Sequence, residues 1–192
     1  MRLPLRSMLL CALFAALAGV CSQLSIPLPM VPINLALFSV HLCGYLLGWR
    51  LGGLAMGVYL LLGLLGVPVF AGFGAGPGTL FGRTGGYILG YVLAAMVTGF
   101  LARQRPGFFP RCLAMGLGTV VCYIFGTIWF MAITGMGLWE SLGYCVLPFL
   151  PGDVVKILLA AWLGGRLQPH VERMLGNGNK GTNPAAAGTK QG

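Results

Sequence analysis

The sequence predicts an all-α integral membrane protein with about six transmembrane helices and with both termini in the cytoplasm. Three observations predict this class. Hydrophobic residues make up 57% of the 192 residues and charged residues only 8%, whereas about a quarter of the residues in a soluble domain are charged. The apolar residues form runs close to the length of about 20 residues that a membrane-spanning helix needs. The basic residues are concentrated between alternate runs.

Six apolar runs are predicted to be spans, and they cover about residues 7–26, 33–48, 51–70, 85–102, 112–135 and 147–165. The second run is short, and prolines interrupt the sixth. The runs are separated by a Pro-rich link (26–33), a basic turn (48–53), a Gly-rich loop (71–86), a basic link (102–111) and a short loop around Glu140. Residues 1–176 are therefore predicted to form one membrane domain. The Gly- and Asn-rich tail, 177–192, is predicted to be a disordered cytoplasmic segment.

The distribution of basic residues predicts the orientation. With the N-terminus inside, the outer loops hold only Arg83, and Lys156 falls within a span. The cytoplasmic segments hold the remaining basic residues: Arg2, Arg6, Arg50, Arg103, Arg105, Arg111, Arg166, Arg173, Lys180 and Lys190. This asymmetry follows the positive-inside rule and favours an even number of spans. An alternative for the first run is a cleaved signal peptide, with Ala16-Leu17-Ala18 as the cleavage site; the other five spans would be unaffected.

Composition also argues against several functions. The net charge of +9 does not predict nucleic-acid binding, because the basic residues are scattered between apolar runs and do not form a polar face. The six cysteines contain no CxxC pair and only two histidines are present, so we expect small buried side chains and no metal site. No cofactor, nucleotide-binding motif or catalytic constellation is predicted.

The sixth run contains the most informative charged residues, Asp153 and Lys156. They are three residues apart, so they share one face of a helix. Asp153 precedes the basic end at Arg166 by 13 residues, or about 20 Å of helix, which places the pair in the outer third of a hydrocarbon core about 30 Å thick. Charges in a membrane are costly and suggest a functional site. A carboxylate and an ammonium could hold an amide- or urea-like edge, although a structural ion pair that locks the helices together is the alternative.

The Gly-rich loop before the fourth run is the second candidate. Its glycines would let the backbone approach a small ligand, so the loop could cover an outward-facing pocket or could be a flexible connector. Arg83 could face solvent or contact an anionic group of a ligand.

These stretches carry a resemblance to a known family. Residues 26–78, the GRTGGYILGY sequence at 82–91, YIFGTIW at 123–129 and LPFLPGDVVKILLAAWL at 147–163 resemble BioY, the biotin-specific substrate-binding (S) component of energy-coupling factor (ECF) transporters. The combination of a GxTGGY loop with LPFLPGDxxK is specific to that family. The resemblance covers most of residues 7–166.

The resemblance implies six helices that hold biotin near the outer face of a bacterial inner membrane. It implies that Asp153 and Lys156 bind the ligand, with loop residues that include Gly74, Thr84, Gly86 and Tyr87 closing over it. It also implies a transmembrane coupling (T) protein and two ATPase subunits as partners, so that the chain itself is not an enzyme. The resemblance further implies that the small residues of the first helix, Ala12 and Ala16, dock against these partners.

Two departures affect the region of the expected pocket. Arg83 stands where the family usually has proline, and Ala36 stands where it often has glutamine. We expect Asp153 and Lys156 to suit the ureido ring of biotin, and we hypothesise that Arg83 suits its carboxylate. The alternatives are an S component for another vitamin, a membrane-embedded enzyme, or a structural protein with a locked Asp153–Lys156 pair.

Overall fold

The structure, a computed structural model, describes residues 4–26, 31–104 and 107–176. Most of the described residues are helical. The elements are α1 (Leu5–Gln23), β1 (Ser25–Ile26), β2 (Ile33–Asn34), α2 (Ala36–Leu64), a 3₁₀ helix (Ala71–Phe73), α3 (Gly76–Leu80), α4 (Gly85–Leu101), α5 (Phe108–Thr134), α6 (Leu138–Cys145) and α7 (Leu150–Met174). The strands β1 and β2 pair antiparallel. The predicted tail at 177–192, and the basic residues Arg2, Arg105, Lys180 and Lys190, lie outside the described residues.

Helix α2 is a hairpin of two arms that reverses at Gly48. This residue has φ 80° and ψ 175°, a conformation that is accessible to glycine and strained for other residues. A Cβ on Gly52 would lie 3.0 Å from the Cα of Gly44, and the Cys43 thiol lies 3.9 Å from the Gly52 carbonyl oxygen. Eight residues of straight helix would separate such atoms by about 12 Å. The arms are therefore antiparallel, as the break predicted between the second and third spans requires.

The α2 hairpin lies at the centre of the fold and packs against α1, α4 and α7, while α5 packs against α4 and α7. Small residues allow close approach: a Cβ on Gly44 would lie 2.3 Å from the carbonyl oxygen of Ala95 on α4. His41 is fully buried, and its ring nitrogens lie 3.1 Å from the Thr98 hydroxyl and 2.9 Å from the Thr119 hydroxyl. The histidine thereby links α2, α4 and α5, which is a structural role.

The outer surface of the helices is apolar. Leu9, Leu13, Ile128 and Leu159 are each more than half exposed, as expected for side chains that face lipid and not water. Three described helices, α1, α2 and α5, are long and apolar enough to cross a bilayer. The pair α6–α7, bent by 53°, adds a fourth, and α4 is apolar but shorter. The chain is thus an α-helical membrane protein. The count of six crossings, which takes each arm of α2 as one span, stays a prediction.

The structure corrects several predicted boundaries. The segment around Glu140 is helix α6 and not a loop; it follows Gly137, and Glu140 lies in its first turn, where a carboxylate is favoured by the helix dipole. The Gly-rich loop contains a 3₁₀ turn and α3. The third predicted span, 51–70, ends its helix at Leu64. The sixth predicted span corresponds to α7, which begins at Leu150 because Pro151 is tolerated in a first turn, and which continues to Met174 through Pro169.

Candidate functional site

A cavity of about 230 Å³ lies at the end of the bundle where Val31 and Pro32, the Gly-rich loop and the start of α7 meet. Its wall is mostly apolar and aromatic, with a few polar groups, which is the usual make-up of a small-molecule site. The lining residues are Val31, Pro32, Asn34, Leu37, Tyr59, Phe70, Ala71, Thr79, Thr84, Tyr87, Ile88, Tyr91, Cys122, Tyr123, Cys145, Phe149, Asp153 and Lys156.

Asp153 and Lys156 form a buried ion pair in this wall. The Lys156 ammonium donates to Asp153 Oδ1 at 2.7 Å, and the side chains are 9% and 5% exposed for Lys156 and Asp153, respectively. The two residues lie three apart in the first turns of α7, so helical periodicity brings them together. The Tyr123 hydroxyl, on α5, donates to Asp153 Oδ2. Each carboxylate oxygen therefore has one donor.

The ammonium of Lys156 retains hydrogen-bonding capacity toward the cavity. An ammonium has three N–H donors, and within the described residues it bonds only to Asp153. The pair carries no net charge. A neutral ligand group that combines donors and an acceptor therefore suits this site better than a charged ligand group does. An amide or a urea edge has that combination.

Besides Tyr123, three tyrosines line the cavity, and each of their hydroxyls has a partner. Tyr59 lies 2.8 Å from the Ser22 hydroxyl on α1. Tyr87 lies 3.1 Å from the Thr127 hydroxyl on α5. Tyr91 donates to Asn34 Oδ1 at 3.5 Å. Since these partners lie on separate elements, the rings are held in place and present their faces and edges to the cavity.

Gln23, the last residue of α1, fixes the loop that closes one side of the cavity. Its Nε2 donates to the carbonyl oxygens of Pro68 and Phe70 at 3.1 and 3.0 Å. Its Oε1 accepts from the backbone N–H of Phe73 at 2.9 Å. The fastened loop carries Phe70 against Tyr59, with ring centroids 5.6 Å apart and an edge-to-face geometry, which is a favourable aromatic arrangement.

The second side of the loop is fixed through Trp129 on α5. Its indole N–H donates to the carbonyl oxygen of Gly82 at 3.0 Å. A Cβ on Gly86 would lie 2.2 Å from the Trp129 Cβ, so only glycine allows α4 to pack this closely against α5. Gly86 therefore positions its neighbour Tyr87 and does not itself line the cavity.

The predicted site residues fall into three groups. Asp153, Lys156, Thr84 and Tyr87 line the cavity together. The backbone of Gly74 pairs with that of Phe70, so this glycine and Gly86 shape the surrounding loop. Arg83 is exposed and lies outside the lining, next to Thr84.

Sequence reasoning missed several lining residues. Asn34, Thr79, Tyr59, Tyr91, Cys122 and Cys145 were not predicted. Two signals were available: Asn34 is a polar residue at the edge of an apolar run, and Tyr91 stands four residues after Tyr87 and thus on the same helix face. Nothing local distinguishes Tyr59 or Cys145 from residues that pack in the core.

The small residues of α1 lie on its outward side. Ala12 and Ala16 are exposed, whereas Cys11 and Ala15 face the core. The side chains around this small-residue face, such as Met8 and Val20, are also more than half exposed. A surface of this kind allows another helix to approach closely in lipid.

Comparison with known proteins agrees with this architecture. A sequence model described as the BioY family matches residues 1–173. A probable biotin transporter BioY from Pyrococcus horikoshii is 40% identical over 83% of this chain and 94% of its own. A biotin transporter BioY from Thermotoga maritima is 37% identical over 88% of this chain and 100% of its own. A crystal structure of the S-component for biotin from an ECF-type ABC transporter aligns with a TM-score of 0.79 and 27% identity, over 84% of this chain and 90% of that chain. Because the family model and the alignments with these relatives each cover most of the chain, the chain belongs to the BioY family.

Proposed function

We propose that this protein binds biotin in the cavity and serves as the substrate-binding subunit of an ECF-type uptake system. The single observation that carries the proposal is the buried Asp153–Lys156 pair in the wall of a largely apolar cavity. Support for the ligand comes from relatives that are named biotin transporters and from a similar fold described as an S-component for biotin.

The chemistry of biotin matches the two parts of the cavity. Its ureido ring offers two N–H donors and one carbonyl acceptor, so Asp153 accepts from the N–H groups and Lys156 donates to the carbonyl oxygen. Its thioether ring and aliphatic chain are apolar and lie against Tyr59, Phe70 and Tyr91. Thr84 and Tyr87 contact the ligand from the start of α4, while Gly74 and Gly86 hold the loop in its closed shape.

The carboxylate of biotin needs a partner or solvent. Arg83 is the basic residue predicted on the outer side; it is exposed and is the sequence neighbour of Thr84, which lines the cavity. We propose that its guanidinium, which lies outside the lining, attracts the carboxylate at the rim as an anion partner.

The chain needs an external source of energy. Its sequence has no nucleotide-binding motif, so ATP hydrolysis belongs to two separate ATPase subunits, coupled through a transmembrane T protein. The exposed Ala12 and Ala16 face of α1 supplies the docking surface for these partners. The protein is then a multi-pass protein of the bacterial inner membrane, with both termini in the cytoplasm.

Titration calorimetry of the purified, detergent-solubilised full chain with biotin tests the proposal. Thiamine and riboflavin are the control ligands. Biotin is expected to give saturable heat at one site per chain, and the controls none. Absence of heat with biotin from a monodisperse protein that melts cooperatively would reject biotin as the ligand, and heat with a control vitamin would identify another substrate of the same fold.

A further inference from the structure

A second cavity, of about 240 Å³, lies at the opposite end of the bundle from the candidate biotin site. Four segments meet there: the first turns of α1, the bend of α2, the end of α4 and the end of α7. The lining residues are Ser7, Leu47, Gly48, Trp49, Arg50, Leu51, Arg103 and Leu175. These segments belong to the side that the basic residues predict to be cytoplasmic.

The cavity is electropositive. Arg50 and Arg103 line it, and no carboxylate is among its lining residues. Arg103 forms no hydrogen bond or ion pair with another described residue, and Glu172, which lies with it in a neighbouring cavity, accepts from Gln168 at 2.9 Å. Arg50 stacks over the Trp49 ring with its Cζ 4.9 Å from the ring centroid. Two cationic groups thus share one recess without a protein anion between them.

The backbone and Ser7 make this recess suited to an anion. A Cβ on Gly48 would lie 2.7 Å from the Arg103 Cζ, so the glycine at the bend creates the space that the guanidinium occupies. The second arm of α2 begins after Gly48, and the first amides of a helix lack partners within that helix. Ser7 is only 5% exposed, and it lines the cavity together with the two arginines, where its hydroxyl can donate to an anion.

We propose that this cavity binds a phosphate group, and specifically the headgroup phosphate of an anionic phospholipid. Arg50 and Arg103 provide charge-assisted hydrogen bonds to the phosphate oxygens, and Ser7 donates a further one. The remaining lining is apolar, with Leu47, Leu51 and Leu175, which suits the glycerol and the upper acyl chain of a lipid better than a fully hydrated ion. Trp49, which is 41% exposed, is a side chain typical of the membrane interface. In membrane proteins generally, basic pockets between helices at the cytoplasmic face bind the headgroups of anionic lipids.

Native mass spectrometry of the full chain in a neutral detergent, titrated with phosphatidylglycerol, tests the site. The variant is Arg50→Gln with Arg103→Gln. The matched control is Arg6→Gln with Arg166→Gln, which removes the same charge from exposed positions outside this cavity. We expect lipid affinity to fall about tenfold or more in the first pair and to change less than about twofold in the control. Equal losses in both pairs would overturn the proposal, because lipid would then respond only to net charge.

Two further measurements keep the result interpretable. Ser7→Glu places a carboxylate in the cavity and is expected to abolish phosphatidylglycerol retention by repulsion; unchanged retention would contradict the site. The heat of biotin binding and the melting temperature, measured on every variant, report whether the fold is intact independently of this cavity.

Titrations with inorganic phosphate and with phosphatidylcholine distinguish a lipid headgroup from a soluble phosphate as the source of the anion. Displacement of phosphatidylglycerol by millimolar inorganic phosphate would overturn the lipid assignment in favour of a soluble phosphate ester, whereas selective retention of the anionic lipid supports it.

Discussion

Neutralising the Asp153–Lys156 pair separates its role in binding from its role in stability. The informative set is Asp153→Asn, Lys156→Met and the double variant. Each single change leaves one charged group in a site where the side chains are at most 9% exposed. Removing one partner of a buried ion pair typically costs about 3–5 kcal/mol. We therefore expect both single variants to melt at clearly lower temperatures than the parent.

The double variant should recover most of that stability. It leaves no uncompensated charge, and replacing a whole buried pair with neutral residues of similar size is often nearly neutral. The asparagine oxygen can still accept from Tyr123, which bonds to Asp153 in the structure. Stability and ligand binding thus respond differently to the second substitution.

Biotin affinity should not recover. The proposed geometry gives the ligand at least two hydrogen bonds to charged groups, each contributing about 1.5–3 kcal/mol. Their loss amounts to about 3–6 kcal/mol, or a fall in affinity of roughly 10² to 10⁴. The double variant is therefore expected to be folded and close to the parent in melting temperature, and to bind biotin weakly or not at all.

Calorimetry and thermal melting on the same detergent preparations provide the two readouts. Arg166→Met with Glu172→Gln is the matched control, since it neutralises one charge of each sign further along α7, outside the cavity. A double variant that binds biotin as the parent does would show that the pair is a structural lock, and the binding proposal for these residues would be abandoned. A double variant as unstable as the singles would contradict the electrostatic reasoning.

Four other variants test the surroundings of the cavity. Gln23→Leu removes three hydrogen bonds to the loop, so biotin dissociation followed by stopped flow should accelerate about tenfold or more, whereas an unchanged rate would remove Gln23 from the closing mechanism. Gly86→Ala forces a Cβ to 2.2 Å from a neighbouring Cβ and should lower stability by about 1–3 kcal/mol, measured by melting; an unaltered melting curve would show that the helices separate freely. Ala12→Leu with Ala16→Leu should leave biotin binding unchanged while abolishing co-purification with coexpressed T and ATPase subunits, and intact co-purification would place docking elsewhere. Arg83→Ala should weaken biotin several-fold more than it weakens biotin amide, and equal effects on both ligands would exclude a carboxylate contact.

The sequence was informative where a single local feature decides the structure. The apolar runs located the helices, and a spacing of three placed Asp153 and Lys156 on one face of α7. The basic turn at 48–53 located the reversal of α2, although only the backbone angles at Gly48 show how tight it is. In each case the determining interaction lies within one or two helical turns.

The remainder depends on packing between distant elements. Tyr59 lines the cavity because Ser22 on α1 bonds its hydroxyl, a contact between residues 37 positions apart that no local pattern encodes. Arg83 precedes α4, which begins at Gly85, and it lies outside the lining although its neighbour Thr84 is part of it. Helix α6 was mistaken for a loop because its eight residues are too few to give a spanning apolar run, although eight residues are enough for a helix packed against α5.

The position of α1 connects the two proposed activities of the molecule. Its outward side exposes Ala12 and Ala16, the face proposed for docking, and its last two residues bond to the wall of the cavity, Ser22 to Tyr59 and Gln23 to Phe70. A rigid helix that contacts both a partner and the ligand enclosure can transmit a change at either end, provided that the enclosure has an open and a closed state. Ligand occupancy and partner docking must then influence each other equally, since coupling between two binding events is reciprocal. We expect the loop bonds of Gln23 to carry that coupling, so removing them should reduce the effect of biotin on docking more than it reduces docking in the absence of biotin.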